Sequence, residues 1–215
     1  MTLVVVGYRP HRWVVPPGLP LLESARRMGA YRWIESSLFE VLGSWVVSVP
    51  EPEVKPILAA HAHEHAWHAE LWREQLPTAA GMTPEGLTTP ANEGADAFFT
   101  ALVEPDSAGQ TIEKMVGAYR VLLPRMIAAY SAHLDGASGV CDGPVIRVLR
   151  LVLRDELEAW RRGEAVIHSL LGTEQQVRTA AQHQARLEWM FSDSGGVTGP
   201  ETTGSGFVGA ESGQP

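Results

Sequence analysis

The segment from Val54 to Leu76 places three histidines in the middle of an apolar helical stripe. At 3.6 residues per turn, one helix face carries seven residues: Val54, Leu58, His61, His65, His68, Trp72 and Leu76. A buried polar group costs free energy unless it finds a partner, so three core-facing imidazoles need a fold that supplies partners. The stripe therefore predicts a core helix whose histidines serve a metal, a substrate or an acid–base relay.

The same periodicity recurs along the chain and predicts an all-α fold. Helices are expected over 21–49, 52–75, 95–103, 107–134, 144–170 and 174–191. The connection 77–94 is rich in Pro, Gly, Thr and Ala, and it can carry the chain from one end of a bundle to the other. Pro124 should kink the helix 107–134 because proline has no backbone N–H to donate. Outside the first residues, the sequence shows no alternating strand pattern and no internal repeat.

The length of 215 residues and the distribution of apolar residues predict one domain with two appendages. Residues 1–20 hold a short Val-rich run and then V-V-P-P-G-L-P, which favours an extended arm. Residues 21–191 form the helical bundle. Residues 192–215 are rich in Gly, Ser and Thr with few apolar residues, so we expect a disordered tail.

Charge and cysteine content narrow the class of function. The net charge is −8 and the basic residues are scattered among acids, which argues against nucleic-acid binding. Cys141 is the only cysteine, so no intramolecular disulfide can form, and a reducing cytoplasm is expected. The N-terminus lacks the basic region of a signal peptide, and no apolar run is long enough to cross a bilayer.

Polar residues interrupt the apolar stripes of three further helices. Glu35 does so in the first helix and Glu156 in the helix that starts at Pro144. The helix 107–134 offers Tyr119 in its middle and Glu113 near its start. Carboxylates and imidazoles that point into a bundle core are the design of di-iron carboxylate proteins.

On these residues the chain resembles the ferritin-like superfamily. The resemblance is carried by Y-R-W-I-E-S-S-L-F-E, H-E-H-A-W-H-A-E-L-W and L-R-D-E-L-E-A-W-R-R-G-E in the first, second and fourth helices of the bundle. It implies an up–down bundle with a long crossover, of a kind that often pairs into homodimers through an outer helix face. In that superfamily the second and fourth helices each carry Glu-x-x-His, where this chain has His65 with His68 and Glu156 with Ala159.

The resemblance leaves two enzymatic hypotheses open. We favour metal-free acid–base catalysis on a small molecule in bacterial specialised metabolism, with Glu35, His65 and His68 as catalytic residues and no cofactor. Its supporting residues are His61, Glu64, Tyr119 and Glu156. Aromatic side chains would line the pocket for a planar or apolar substrate: Trp33, Trp45, Trp67, Trp72, Tyr119 and Trp160. The alternative is an iron- or manganese-dependent oxygenase or oxidase whose ion is held by Glu35, His65, His68 and Glu156.

A third hypothesis is a non-catalytic bundle that binds a hydrophobic ligand or a partner. A fourth is an inverted zinc peptidase, because His61-Ala62-His63-Glu64-His65 satisfies H-x-x-E-H. Structural roles are also open for single residues: Glu35 could pair with Arg32, and Glu156 with a neighbouring arginine.

Overall fold

The computed structural model describes residues 18–79 and 82–199, and these residues form an all-helical fold. The helices are α1 (Leu21–Ser48), α2 (Val54–Gln75), α3 (Pro84–Leu87), α4 (Glu93–Val103), α5 (Thr111–Val116), α6 (Leu123–Gly136), α7 (Gly143–Leu170) and α8 (Glu174–Asp193). Within the described ranges the extended backbone amounts to one isolated bridge, between Ala79 and Met82. The prediction of an all-α fold is confirmed.

Helices α1 and α2 form an antiparallel hairpin that contributes one side of the core. Their apolar stripes pack against each other through residues such as Leu38, Leu42 and Leu58, which are fully buried. The turn between them is closed by Lys55, whose ammonium group donates a 2.7 Å hydrogen bond to the carbonyl of Val46. A cation near the last carbonyls of a helix also complements its dipole. The hairpin thereby fixes the relative register of the first-helix and second-helix side chains.

Helix α7 packs against α2 and α6 and closes the core from the opposite side. The last helix, α8, covers α4, α5 and the turn that follows α5. Side chains from α1, α2 and α7 can therefore meet in the interior of the bundle. Among the described residues, no helix combines the length and the apolar character that crossing a membrane requires.

The segment predicted as one helix over 107–134 consists of four helical parts. A 3₁₀ turn (Ala108–Gln110) leads into α5, and a π-helical turn (Gly117–Leu122) separates α5 from α6. Pro124 lies in the first turn of α6, where its missing N–H is least costly. The chain is therefore helical from Thr111 to Gly136, and its irregularity lies just before Pro124, the residue predicted to kink this helix. The irregularity is a π turn that places Tyr119 in the core.

The long connection 77–94 contains the short helix α3, which packs on α1. Part of the predicted tail, residues 192–199, packs on the bundle, since α8 continues to Asp193 and Val197 is buried. The remainder of the predicted tail, residues 200–215, lies outside the described residues, as do residues 1–17 of the predicted arm.

Candidate functional site

Four buried side chains from three helices converge at the centre of the bundle. They are Glu35 on α1, His65 and His68 on α2, and Glu156 on α7. Each is at most 1% exposed as a residue, and each offers one ligand atom within 4.8 Å of the ligand atoms of the others. The spacing of three between the two histidines puts both imidazoles on one face of α2. We call these four residues the central quartet.

Both imidazoles direct the same ring nitrogen at the carboxylates. The Nδ1 atom of His65 donates a 2.6 Å hydrogen bond to Oε2 of Glu35 and lies 3.3 Å from Oε1 of Glu156. The Nδ1 atom of His68 lies 3.6 Å from the same Glu35 oxygen and 3.3 Å from the same Glu156 oxygen. Two nitrogens and two oxygens thus share one small volume.

Several polar atoms of the quartet make no hydrogen bond to the described residues. These atoms are both carboxylate oxygens of Glu156, Nδ1 of His68 and Nε2 of His65. A buried polar atom without a partner costs about 1–3 kcal/mol, more if it is charged. Two of these atoms, Nδ1 of His68 and Oε1 of Glu156, lie 3.3 Å apart and are both suitable ligand atoms for a cation. The central quartet could therefore bind a metal ion.

Without an ion, opposite charges hold the quartet together. Burial opposes the charged form of His65, but the charge of Glu156 and the hydrogen bond to Glu35 outweigh it and raise its pKa to about 9. The pKa of His68 is raised to about 11, because the charge of Glu35 outweighs the burial that would lower it. Burial would raise the pKa of Glu156, yet the charge of His65 lowers it to about 2. Two imidazolium ions therefore balance two carboxylates.

Two further residues hold members of the quartet, and neither was predicted as a site residue. The hydroxyl group of Tyr130 donates a 2.6 Å hydrogen bond to Oε1 of Glu35. The Nε2 atom of His68 lies 3.4 Å from Oδ2 of Asp155. Tyr130 was visible in sequence only as one member of the apolar stripe of its helix, and Asp155 only as the neighbour of Glu156. Both contacts arise from tertiary packing, which periodicity does not report.

His61 and Tyr119, predicted as supporting residues, pair with each other beside the quartet. The Nδ1 atom of His61 and the hydroxyl oxygen of Tyr119 are 2.7 Å apart and hydrogen-bonded, and both residues are buried. Burial lowers the pKa of His61 to about 4, so this imidazole is neutral near pH 7. The ring of Tyr119 packs directly on Gly163, where an added Cβ would lie 2.2 Å from ring carbons. Only glycine permits that approach.

The contacts of His61 and His65 disfavour the zinc-peptidase motif. That motif needs His61 and His65 to share one ion, but the two imidazoles engage different partners. Glu64, which would polarise the water in such a site, is only partly buried and lies outside the quartet. The contacts of the described residues therefore do not support the H-x-x-E-H hypothesis.

Glu35 and Glu156 do not form the ion pairs with neighbouring arginines that the sequence also allowed. Arg32 donates its hydrogen bonds to Thr88 and to the carbonyl of Pro84, away from Glu35. Glu156 faces the histidines, while the neighbouring Arg154 contacts Asp155 at the surface. Glu113 is only partly buried and is not a member of the quartet.

The predicted aromatic lining is divided between the core and the surface. Trp45, Trp72 and Tyr119 are buried and packed, whereas Trp67 is 47% exposed. Trp67 borders a surface groove of about 600 Å³ with Pro144, Val148 and Leu151. The other pockets found on the described part of the chain have separate linings, and none of the four is lined by a quartet residue. The quartet is thus enclosed by packed side chains.

The fold and the site together define a helical bundle with a buried carboxylate–histidine cluster. No family model matches the chain, and no curated protein or solved structure shows significant similarity to it. The functional argument consequently depends on the geometry of the site.

Proposed function

We propose that the chain is a metal-dependent oxidase on a ferritin-like helical bundle, in which the central quartet holds one iron or manganese ion. The single observation that carries the proposal is the convergence of four buried ligand atoms within 4.8 Å. The ligands come from α1, α2 and α7, as the resemblance to the ferritin-like superfamily implies. The long segment between α2 and α5 has the length of the crossover in such bundles.

The interatomic distances support an ion better than a set of direct hydrogen bonds. Ligand atoms about 2.1 Å from a central ion lie about 3.0–3.4 Å from one another in octahedral or tetrahedral geometry. Three of the four nitrogen–oxygen separations in the quartet are 3.3, 3.3 and 3.6 Å. Only the 2.6 Å separation between His65 and Glu35 is a close hydrogen bond.

The donor set supports one divalent first-row transition ion. Imidazole nitrogen suits iron and zinc, carboxylate oxygen suits manganese, and a mixed set accepts several of these ions. Ala159 is buried and offers no ligand at the position where the superfamily has a histidine. Four ligands are sufficient for one ion and too few for two.

The residues around the quartet are suited to orienting its ligands. Tyr130 holds the Oε1 atom of Glu35, which leaves Oε2 to face the ion. Asp155 lies against the outer nitrogen of His68, so the inner Nδ1 is presented to the centre. Such outer partners fix ring orientation and carboxylate geometry, and their loss typically weakens metal binding by about 10–100-fold.

Enclosure of the quartet sets the size of the reactant. The quartet side chains are at most 2% exposed, and the surface pockets are lined by other residues. None of the four pockets on the described part of the chain is lined by Glu35 or His68, which disfavours metal-free acid–base catalysis on a planar organic substrate. A reactant as small as dioxygen or hydrogen peroxide needs only transient openings of the packing. The bound ion would supply one-electron redox chemistry to that reactant.

Metal analysis of the purified protein tests the proposal. Protein from medium supplemented with iron or manganese should contain about one ion per chain. Glu156→Gln removes one anionic ligand and should weaken binding at least tenfold, whereas Glu158→Gln removes an exposed carboxylate two residues away and should have no effect. Absence of metal from the wild type, or wild-type affinity in Glu156→Gln, would overturn the metal site.

The redox part has its own measurement. The ferrous protein, prepared without oxygen, should consume dioxygen at a rate that exceeds that of the same iron bound to Glu156→Gln. Equal rates would leave a metal-binding bundle without oxidase activity.

A further inference from the structure

Asp155 is the partly exposed neighbour of a site that is otherwise closed. Its side chain is 19% exposed, whereas the quartet side chains are at most 2% exposed. Its Oδ2 atom lies 3.4 Å from Nε2 of His68. The carboxylate therefore contacts solvent on one side and a quartet residue on the other.

The ring of His68 spans the distance between that carboxylate and the interior. Its Nε2 atom faces Asp155, and its Nδ1 atom lies 3.3 Å from Glu156 and 3.6 Å from Glu35. An imidazole has its two nitrogens on opposite sides of the ring. One side chain thus connects the surface carboxylate with the two buried ones.

A second carboxylate is carried by the same helix as His68. Glu64 precedes His68 by four residues on α2, so both side chains share a helix face. Glu64 is partly buried, so its carboxylate lies at the boundary between solvent and the core. Arg154 is the competing cation, with Nε 3.6 Å from Oδ1 of Asp155, but its side chain is 89% exposed and the pair is weak.

We propose that Asp155, assisted by Glu64, forms the route by which a divalent cation reaches His68 and the central quartet. The inference rests on the proposed metal site and adds how that site is loaded. A hydrated cation is attracted to the carboxylates of Asp155 and Glu64, which concentrate it at the surface. Oxygen ligands then replace part of its hydration shell before it passes the ring of His68, so it never crosses the apolar packing as a fully hydrated ion.

A purely structural Asp155 would behave differently. A residue that only orients His68 changes how firmly the ion is held, and therefore the dissociation rate and the equilibrium affinity. A residue on the route changes the barrier between solvent and site. Loading and release then slow by the same factor, and the equilibrium constant stays nearly constant. Rate measurements separate the two roles.

The experiment is stopped-flow loading of the metal-free full-length chain with Co²⁺, whose visible absorption reports coordination. Asp155→Asn keeps a side-chain oxygen that can accept from Nε2 of His68 but removes the charge. It should therefore slow loading at least tenfold and slow release in proportion, with the dissociation constant changed by less than about threefold. Arg154→Gln, which frees one oxygen of that carboxylate, should speed loading. Glu158→Gln, an exposed carboxylate on the same helix, should load at the wild-type rate.

The outcomes are distinguishable. Loading of Asp155→Asn at the wild-type rate overturns the route, and so does a weaker affinity that comes from faster release alone. A loading rate for Arg154→Gln below that of the wild type also contradicts it. Failure of the wild-type chain to bind Co²⁺ overturns the metal site itself, and with it the inference.

Discussion

The charge state of the central quartet makes ion binding strongly pH-dependent. In the metal-free protein the pKa of His65 is about 9 and that of His68 about 11, so both imidazoles carry a proton near pH 7. A metal ion binds only the deprotonated ring nitrogen. Each ion must therefore displace two protons, and the interior is electrically balanced both before and after binding.

The magnitude follows from that stoichiometry. Displacement of two protons makes the apparent association constant rise about 100-fold per pH unit, equivalent to ~2.7 kcal/mol. Between about pH 6 and about pH 8, both below the raised pKa values, affinity should thus rise by about four orders of magnitude. A site whose histidines kept their ordinary pKa values would lose most of this dependence above about pH 7.

Isothermal titration calorimetry measures the released protons directly. Titrations near pH 7 in buffers of different ionisation enthalpy should give about two protons per ion. His68→Gln supplies a neutral side chain in place of one imidazolium and should release about one proton. Binding of one ion without proton release would refute the assigned charges. Release of two protons by His68→Gln would show that His68 is not deprotonated on binding.

Three further outcomes concern the metal-free protein. The raised pKa of His65 contributes stability that is fully present below pH 6.5 and is lost as pH rises through about 9, so urea unfolding should show stability declining over that interval. Tyr130→Phe removes a hydrogen bond to a buried carboxylate and should lower the free energy of unfolding by about 1.5–3 kcal/mol. The hydroxyl group of Tyr31 has no hydrogen-bond partner among the described residues, so Tyr31→Phe should lower it little. Equal losses of stability in the two variants would contradict this assignment. Gly163→Ala should destabilise the protein by about 1–3 kcal/mol because its added Cβ would overlap the ring of Tyr119. Gly43 has open space around it, so Gly43→Ala should stabilise the protein by up to about 1 kcal/mol. Thermal unfolding that gave the reverse order would refute the close contact between Gly163 and Tyr119.

Helical periodicity indicated the four residues that the structure brings together in the central quartet. Glu35, His65, His68 and Glu156 each interrupt an apolar stripe, and in a bundle such residues must point inward and find one another. The same reasoning predicted the positions of the long helices to within a few residues of their observed ends. Local pattern is informative here because burial of an ionisable group is rare and costly.

Contacts that depend on packing between helices could not be read from the sequence. Periodicity placed His61 on the same stripe as His65, but it did not reveal that His61 pairs with Tyr119. That pairing depends on the π turn that carries Tyr119 and on the absence of a side chain at Gly163, against which the tyrosine ring packs. Asp155 falls beside the stripe of its helix and becomes relevant only because α7 lies against His68. Side-chain partners across a bundle follow from the depth and rotation of each helix, which a single sequence does not specify.

The balance of two positive and two negative charges in the quartet constrains how the chain can evolve. A substitution that neutralises one member leaves an uncompensated charge in the core, at a cost of about 3–5 kcal/mol, whereas loss of an oppositely charged pair leaves the interior neutral. His65 and Glu156, which face each other across α2 and α7, should therefore be exchanged together or not at all. Related sequences should show the two positions covarying, and a double-mutant cycle should find the pair strongly non-additive.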